Sequence, residues 1–486
     1  MTTDIKTLEP KAIWQNFDKI CQVPHPSHHL EAITAMMVDF GKSLGLETQT
    51  DKAGNVLIRK PATQGMENLQ TVVLQSHLDM VPQANSSIRH NFETDPINTV
   101  IDGEWVKANQ TTLGADNGIG AASAMAVLEA KTLRHGPVVA LFTADEETGM
   151  YGAFGLQSGW VQGDILLNLD SEDEGELYIG CAGGLDAGIT WEFKGVPSID
   201  SDIALKINLS GLKGGHSGLE INQGRANANK LIFRFLKEAI ARYEARLAQT
   251  EGGNMRNAIP REAWAVITVP AEEKEEIIKL VEEYEDLFNE EYQLTENKIS
   301  FSAEKCAMPE MLIPEEIQDD LINSVTACPN GVFRNIPSIP SVVETSMNLS
   351  IIKANAENIE IQCLLRSSVD SKKEELASMV ESVFSLAEAK VEFSGSYSGW
   401  NPNPDSPILK TMQEVYRKEF GKEPKVTVIH AGLECGIIGA AEPNLDMISF
   451  GPTIRHPHSP DEKVNIESVG KYWKFLTATL ENIPKK

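Results

Sequence analysis

Three short apolar runs, at residues 71–75, 138–142 and 165–169, are separated by segments of helical periodicity, and this alternation restricts the fold more than any other feature of the chain. Runs that stay apolar without alternating fit strands covered on both faces. Such strands belong to largely parallel sheets with helices packed on either side. Helical patterns cover 11–21 and 30–44, the second with Leu30, Ile33, Met37, Phe40 and Leu44 on one face. A helix of small residues is predicted after Asp116, over 118–130. In sheets of this kind functional groups collect beyond the carboxyl ends of the strands.

The middle of the chain follows another pattern. Ile203, Leu205, Ile207 and Leu209 alternate with other residues, as in a half-buried strand. A long helix is predicted over 226–248, then a strand over 263–269 and an acidic helix over 272–292. A second series follows: helix 314–326, strands 342–352 and 359–365, helix 372–389 and strand 391–393. These read as two α+β sandwich halves in series. After Asn401-Pro-Asn-Pro404 the α/β alternation returns, with strand 426–429, helix 431–440, strand 447–450 and a last helix over 466–483. The expected organisation is an α/β domain, with a central mostly parallel sheet flanked by helices, interrupted by an inserted α+β domain. Residues 1–186 and 399–486 form the first and 187–398 the second.

Charge narrows the partners. Asp plus Glu number 70 against 43 Lys plus Arg, a formal charge of −27. Nucleic acid and anionic membrane both need a basic face, so neither is an expected partner. No run is apolar and long enough to span a bilayer, and the N-terminal stretch carries Asp4 and Glu9 instead of the apolar core of a secretory signal. The six cysteines are scattered and form no Cys-x-x-Cys pair, so free thiols and a cytoplasmic location are expected.

Five segments of the outer α/β portion carry candidate chemistry. His77 and Asp79 follow the first apolar run, and a carboxylate beside an imidazole suits a metal ligand held by a supporting group. A polar strand end accounts for that pair equally well. Asp116 lies in the glycine-rich turn Gly114-Ala-Asp-Asn-Gly118, where helix N-capping is the plainer role. The glycines match neither nucleotide fingerprint. Glu146 and Glu147 end the run at 138–142, and adjacent residues in extended chain point to opposite sides, one toward a metal and one toward a substrate. Asp170 ends the run at 165–169, while Glu172, Asp173, Glu174 and Glu176 read as ordinary surface charge. His456 and His458 are two of ten histidines, placed in one loop after a strand, which favours a ligand over a structural ring.

Pooled, His77, Asp116, Glu147, Asp170 and His458 supply two imidazoles and three carboxylates, a set suited to a pair of borderline cations such as zinc. If Asp116 bridges, each cation takes one His, one terminal carboxylate and the bridge, and a bridging hydroxide would cancel the remaining charge. Glu146 is then free to take a proton from water and pass it to a leaving amine.

The same segments resemble the M20 metallopeptidase family, essentially end to end. The strings Leu74-Gln-Ser-His-Leu-Asp-Met-Val-Pro82, Thr111-Thr-Leu-Gly-Ala-Asp-Asn-Gly-Ile-Gly120 and Ile429-His-Ala-Gly-Leu-Glu-Cys-Gly436 are similar to its aminoacyl-histidine dipeptidase branch. The resemblance implies two Zn2+, for which Mn2+ or Co2+ can substitute: His77 and Asp170 on one, Glu147 and His458 on the other, with Asp116 bridging. It implies Glu146 as general base and Asp79 as the support of His77. His458 is preferred to His456 because Ser-Pro-Asp-Glu follows it. Ser-His-x-Asp and Asp-Asn-Gly-Ile-Gly stand where more usual members carry Gly-His-x-Asp and Asp-Asp-Lys-Gly, which argues against general carboxypeptidase or deacetylase activity.

The insert is implied to be a lid. Within Gly214-Gly-His-Ser-Gly218, His216 is implied to bind the tetrahedral oxyanion, where the residues alone suggest a tight glycine turn. Asn257 and Arg366 match lid positions that grip a substrate carboxylate better than Arg256 does, and Gly432 matches a substrate-side backbone position. The implied activity is hydrolysis of dipeptides with a free N-terminus, Xaa-His preferred and β-Ala-His included, by attack of a metal-bridging hydroxide. A tripeptidase, an N-acyl amino acid amidohydrolase and a non-catalytic metal- and peptide-binding protein are the competing readings. The two-half insert resembles lids that complete the site within one chain, and a homodimer stays open.

Overall fold

The computed structural model describes residues 4–486 and separates into two compact units. One holds the described chain through Cys181 together with Trp400–Val428 and Leu433–Lys486; the other holds Ala182–Gly399 and the short segment Ile429–Gly432. The boundary read near residue 186 falls inside the strand Gly183–Glu192, and packing changes hands ahead of that strand.

The first unit is built on an eight-stranded sheet in the order Glu47–Thr50, Val56–Lys60, Val138–Thr143, Val72–His77, Ile165–Asn168, Asp446–Ser449, Glu176–Cys181, Lys425–Ile429. The four central strands run parallel, and antiparallel pairs flank them. Every residue of Val72–His77 and Val138–Thr143 is buried, which is why neither run alternates. Helix Ala115–Glu129 draws eight of its fifteen residues from Gly, Ala and Ser, in keeping with the burial of every residue from Asn117 to Leu128. At Gly118 an added Cβ would come 2.8 Å from the ring of Phe17, so glycine there lets helix Lys11–Cys21 seat Phe17 against it. Full burial of one such ring contributes about 1.5–3 kcal/mol.

A four-stranded sheet, in the order Ile454–Arg455, Lys463–Asn465, Trp105–Ala108, Thr99–Asp102, lies in the same unit. Its first two strands frame the loop that carries His456 and His458, and the chain leaves Trp105–Ala108 directly toward Asp116.

The second unit carries one nine-stranded antiparallel sheet. The two α+β halves read in series meet where Arg246–Gly252 pairs with Ile339–Ala354, so both share that sheet and a common apolar core. The helix predicted over 226–248 ends early: Ala228–Tyr243 stops at Glu244, whose φ of 53° is left-handed, and Arg246–Gly252 is a strand. Ala245, Arg246, Leu247 and Ala248 have high helix propensity, but pairing on both edges of the strand outweighs it. None of the six cysteines forms a disulfide, and no helix among the described residues is long and apolar enough to cross a membrane.

Candidate metal centre

His77 ends the strand Val72–His77 and is 2 % exposed. Its Nδ1 lies 3.0 Å from the main-chain oxygen of Asp79 and 3.4 Å from Asp79 Oδ1. The Nδ1–H donates there, which leaves the Nε2 lone pair for a cation. Nε2 faces Asp116 Oδ1 at 3.1 Å and Asp170 Oδ1 at 3.4 Å. On the other side of Asp116, Oδ2 lies 3.2 Å from His458 Nε2, which is 3.0 Å from Glu147 Oε2.

The ligand atoms of His77, Asp116 and Asp170 fall within 4.8 Å of one another, and so do those of Asp116, Glu147 and His458. Asp116 is common to both groups. The same spacing also brings together His77, Glu146 and Glu147, whereas His456 joins none of these groups. Glu147 Oε1 is buried with no hydrogen-bond partner. Crowded carboxylates and an orphaned buried oxygen both cost free energy, and cations between them remove both costs. The residues therefore fit two divalent cations. Burial opposes a charged imidazole at His77, but Asp170, Asp116 and Asp79 outweigh it and raise the ring's pKa. Burial also pushes Asp170 up to about 6, with His77 pulling the other way.

Local contacts hold these side chains in place. Asp79 Oδ1 accepts the N–H of Glu146 at 2.9 Å, and Oδ2 accepts the N–H of Glu147 at 3.2 Å and the hydroxyl of Ser27 at 2.8 Å. The extended-chain argument for Glu146 and Glu147 does not hold, because the strand stops at Thr143 and both amides turn toward one carboxylate. Asp116 makes no side-chain cap; Gly114, at φ 72°, occupies the cap position, and Asp116 itself departs from helical geometry.

Glu462 was not singled out by the residue pattern, although it lies four residues after His458. Its buried carboxylate accepts the N–H groups of Leu113, Gly114, Ala115 and Asp116 at 2.7, 3.0, 2.8 and 3.2 Å, so the His458 loop grips the Asp116 turn. Asn117 donates to Leu169 O at 2.9 Å and to Asp170 Oδ1, tying that turn to the next strand end.

The acidic stretch after Asp170 is also not ordinary surface. Glu172, Asp173, Glu174 and Glu176 are half-buried. Asp173 pairs with Arg455 at 2.8 Å, Glu174 accepts the Tyr416 hydroxyl at 2.7 Å and Glu176 pairs with Lys425 at 2.7 Å. Burial, with Asp116 and Asp170 adding to it, pushes Glu172 up to about 8.

His216, Asn257, Arg366 and Gly432 belong to the second unit. His216 Nδ1 accepts the N–H groups of Gly218 and Leu219 at 3.1 and 3.0 Å, which puts the ring proton on Nε2 and makes that atom a donor. Burial, and then Arg366, push the ring down to about 4, so it is neutral at pH 7. Arg366 is 5 % exposed and has no ion pair among the described residues; Nη1 donates to the Tyr397 hydroxyl at 3.4 Å and Nε has no partner. Arg256 is exposed and pairs with Asp186. A Cβ at Gly218 would come 2.1 Å from His430 O and 3.2 Å from Arg366 Nε, so glycine lets His216, Arg366 and His430 converge. Asn257 is exposed, with its carbonyl accepting the Ser217 N–H at 2.8 Å, and Gly432 is half-buried.

A profile of peptidase family M20/M25/M40 matches residues 73–482. The chain is 48 % identical over 486 residues, the full length of both sequences, to the cytosol non-specific dipeptidase of Escherichia coli strain K12. The crystal structure of the aminoacylhistidine dipeptidase from Vibrio alginolyticus matches with a TM-score of 0.94 at 48 % identity, covering 100 % of this chain and 99 % of that one. The aminopeptidase PepT of Bacillus cereus shares the fold at a TM-score of 0.57 and 16 % identity, covering 98 % and 99 % of the two chains.

Proposed function

This chain belongs to peptidase family M20/M25/M40, and from that premise we propose that it hydrolyses dipeptides with a free N-terminus, Xaa-His preferred and β-Ala-His included. One observation carries the chemistry: Asp116 is shared by two ligand groups, each completed by one imidazole and one further carboxylate. The substrate class is supported by the dipeptidases that match along the whole chain, one of which is described as acting on aminoacylhistidines.

His77, Asp116 and Asp170 would hold one Zn2+ and Asp116, Glu147 and His458 the other, with Mn2+ or Co2+ able to substitute. When bound, such cations polarise the scissile carbonyl and acidify water. Asp79 orients His77 through Nδ1 and sets the turn that presents Glu146. Glu146 takes the proton of the attacking water and delivers it to the leaving nitrogen. Burial raises its pKa well above the usual carboxylate range, which suits a group that must both accept and release a proton. In the second unit, assigned the part of a lid, the Nε2–H of neutral His216 donates to the oxyanion. Arg366, a buried guanidinium with no carboxylate of its own, receives the substrate's C-terminal carboxylate, with Asn257 and Gly432 beside the substrate. A carboxylate clamp limits substrate length. A cytoplasmic location belongs to the same reading, in keeping with the cytosolic E. coli relative.

The test couples metal analysis to a substrate panel. Two equivalents of cation per chain and fastest turnover of Xaa-His dipeptides are expected. Glu146→Ala should abolish turnover while both cations stay bound. A preference for tripeptides or N-acyl amino acids, or near-normal activity of Glu146→Ala, overturns the reading.

A further inference from the structure

Behind the metal centre a row of polar side chains crosses the otherwise apolar sheet. Gln75, Asn168 and Ser449 stand in register on three neighbouring parallel strands. Asn168 Nδ2 donates to Gln75 Oε1 at 2.5 Å, Ser449 Oγ donates to Asn168 Oδ1 at 2.5 Å, and the hydroxyls of Ser171 and Ser449 are 2.6 Å apart. At the other end Gln75 Nε2 and Thr143 Oγ1 both donate to Glu434 Oε2, at 2.6 and 2.7 Å. Gln75, Thr143, Asn168, Ser449 and Glu434 are all 0 % exposed.

The positions of these residues matter more than their number. Gln75 precedes His77 on its strand, Thr143 precedes Glu146 and Glu147, and Asn168 and Ser171 flank Asp170. Every bond in the row therefore has at least one partner close in sequence to a candidate ligand or the base, and the Asn168–Gln75 bond joins two such strand ends directly. Glu434 is the one ionisable member. It has no cationic partner among the described residues, and its Oε1 has no hydrogen-bond partner. A buried carboxylate of this kind is a poor choice for holding a fold, because apolar packing serves that purpose at lower cost. Its first-turn place in helix Glu434–Ala441 gives the carboxylate a rigid mount.

We propose that Glu434 is a positioning residue, which holds the ends of the Val72–His77 and Val138–Thr143 strands through Gln75 and Thr143 so that His77 and Glu146–Glu147 keep the spacing a cation pair needs. The inference rests on the two-cation reading of the site above. Removing a group that orients ligands from behind typically weakens metal binding or activity tenfold to a hundredfold.

The experiment titrates the metal-stripped full chain with Mn2+ by calorimetry and follows Gly-His hydrolysis in the loaded protein. Wild type should bind two equivalents; fewer than two would defeat the site reading itself. Against a two-equivalent wild type, Glu434→Ala should weaken the second Mn2+ by about tenfold or more. Its kcat should drop comparably, with KM moving less than about threefold, and Glu434→Gln, which keeps an acceptor oxygen, should recover most of the Mn2+ affinity. Folded Glu434→Ala with wild-type Mn2+ affinity and kcat overturns the inference alone. Should Glu434→Ala fail to fold, Thr143→Val takes its place: it removes one bond to the same oxygen at nearly constant volume, weaker Mn2+ binding is expected, and unchanged binding and kcat overturn the proposal.

Discussion

Asp79 Oδ1 accepts the backbone N–H of Glu146 at 2.9 Å. The same oxygen lies 3.4 Å from His77 Nδ1, whose nearer acceptor is the Asp79 main-chain oxygen at 3.0 Å, so one buried carboxylate both supports the ring of a ligand and fixes the turn that presents the base. Loss of that carboxylate should damage metal binding and proton transfer together. Asp79→Ala is expected to lower cation affinity and kcat by about ten- to a hundredfold each, while Asp79→Asn, which keeps one oxygen acceptor, loses less. Metal content after dialysis and kcat on a dipeptide check this; wild-type values for both in Asp79→Ala would refute the coupling.

Glu462 is expected to be a stability residue as much as a site residue. Its carboxylate serves four consecutive N–H groups, and an orphaned buried donor costs about 1–3 kcal/mol. Glu462→Ala should lower the unfolding free energy by about 3 kcal/mol or more, with a smaller loss in Glu462→Gln. Urea unfolding of the metal-stripped proteins measures this apart from any effect of cations.

Arg366 and Arg256 should separate cleanly in kinetics. A charge-assisted hydrogen bond contributes about 1.5–3 kcal/mol, so Arg366→Ala should raise KM for dipeptides by about ten- to a hundredfold. It should have little effect on the corresponding dipeptide amides, which lack the carboxylate. Arg256, already paired with Asp186, should tolerate Ala with KM within about threefold. Equal losses for the two variants would argue against the assignment.

Acid should weaken the second unit through His430. Burial, and then Arg366 and His216, push its ring from the ordinary 6.5 down to about 3. Between those values the unfolded chain binds a proton that the folded ring refuses, so stability falls as pH drops below 6.5. The loss from pH 6.5 to pH 5 is about 2 kcal/mol for this one ring. His430→Gln should show a correspondingly shallower fall in urea unfolding free energy over that range.

Most of the first unit's fold is legible because its central strands are buried on both faces, which leaves uninterrupted apolar runs in the sequence. The strand Arg246–Gly252 is not, since its helix-favouring residues are overruled by partners far away in the chain. The candidate ligands could be picked out because His and carboxylates at strand ends are conspicuous. Glu462 and Glu434 could not be given roles, because their partners are backbone amides and neutral side chains that only the fold assembles. Ser27 is similar: a lone serine near the N-terminus carries no signal until Met80 pairs with Pro26 and brings its hydroxyl to Asp79. Residues 172–176 are half-buried, which an acidic run in a sequence does not reveal, because solvent and a partly covered strand end accommodate the same composition.

Asp116 meets His458 across 342 positions of sequence, with the whole second unit synthesised between them. On the ribosome, a nascent chain would expose its first acidic turn long before the loop that grips it emerges. His77, Asp116 and Asp170 are thus all made before the second unit begins, whereas the group of Asp116, Glu147 and His458 can close only after that unit has been made.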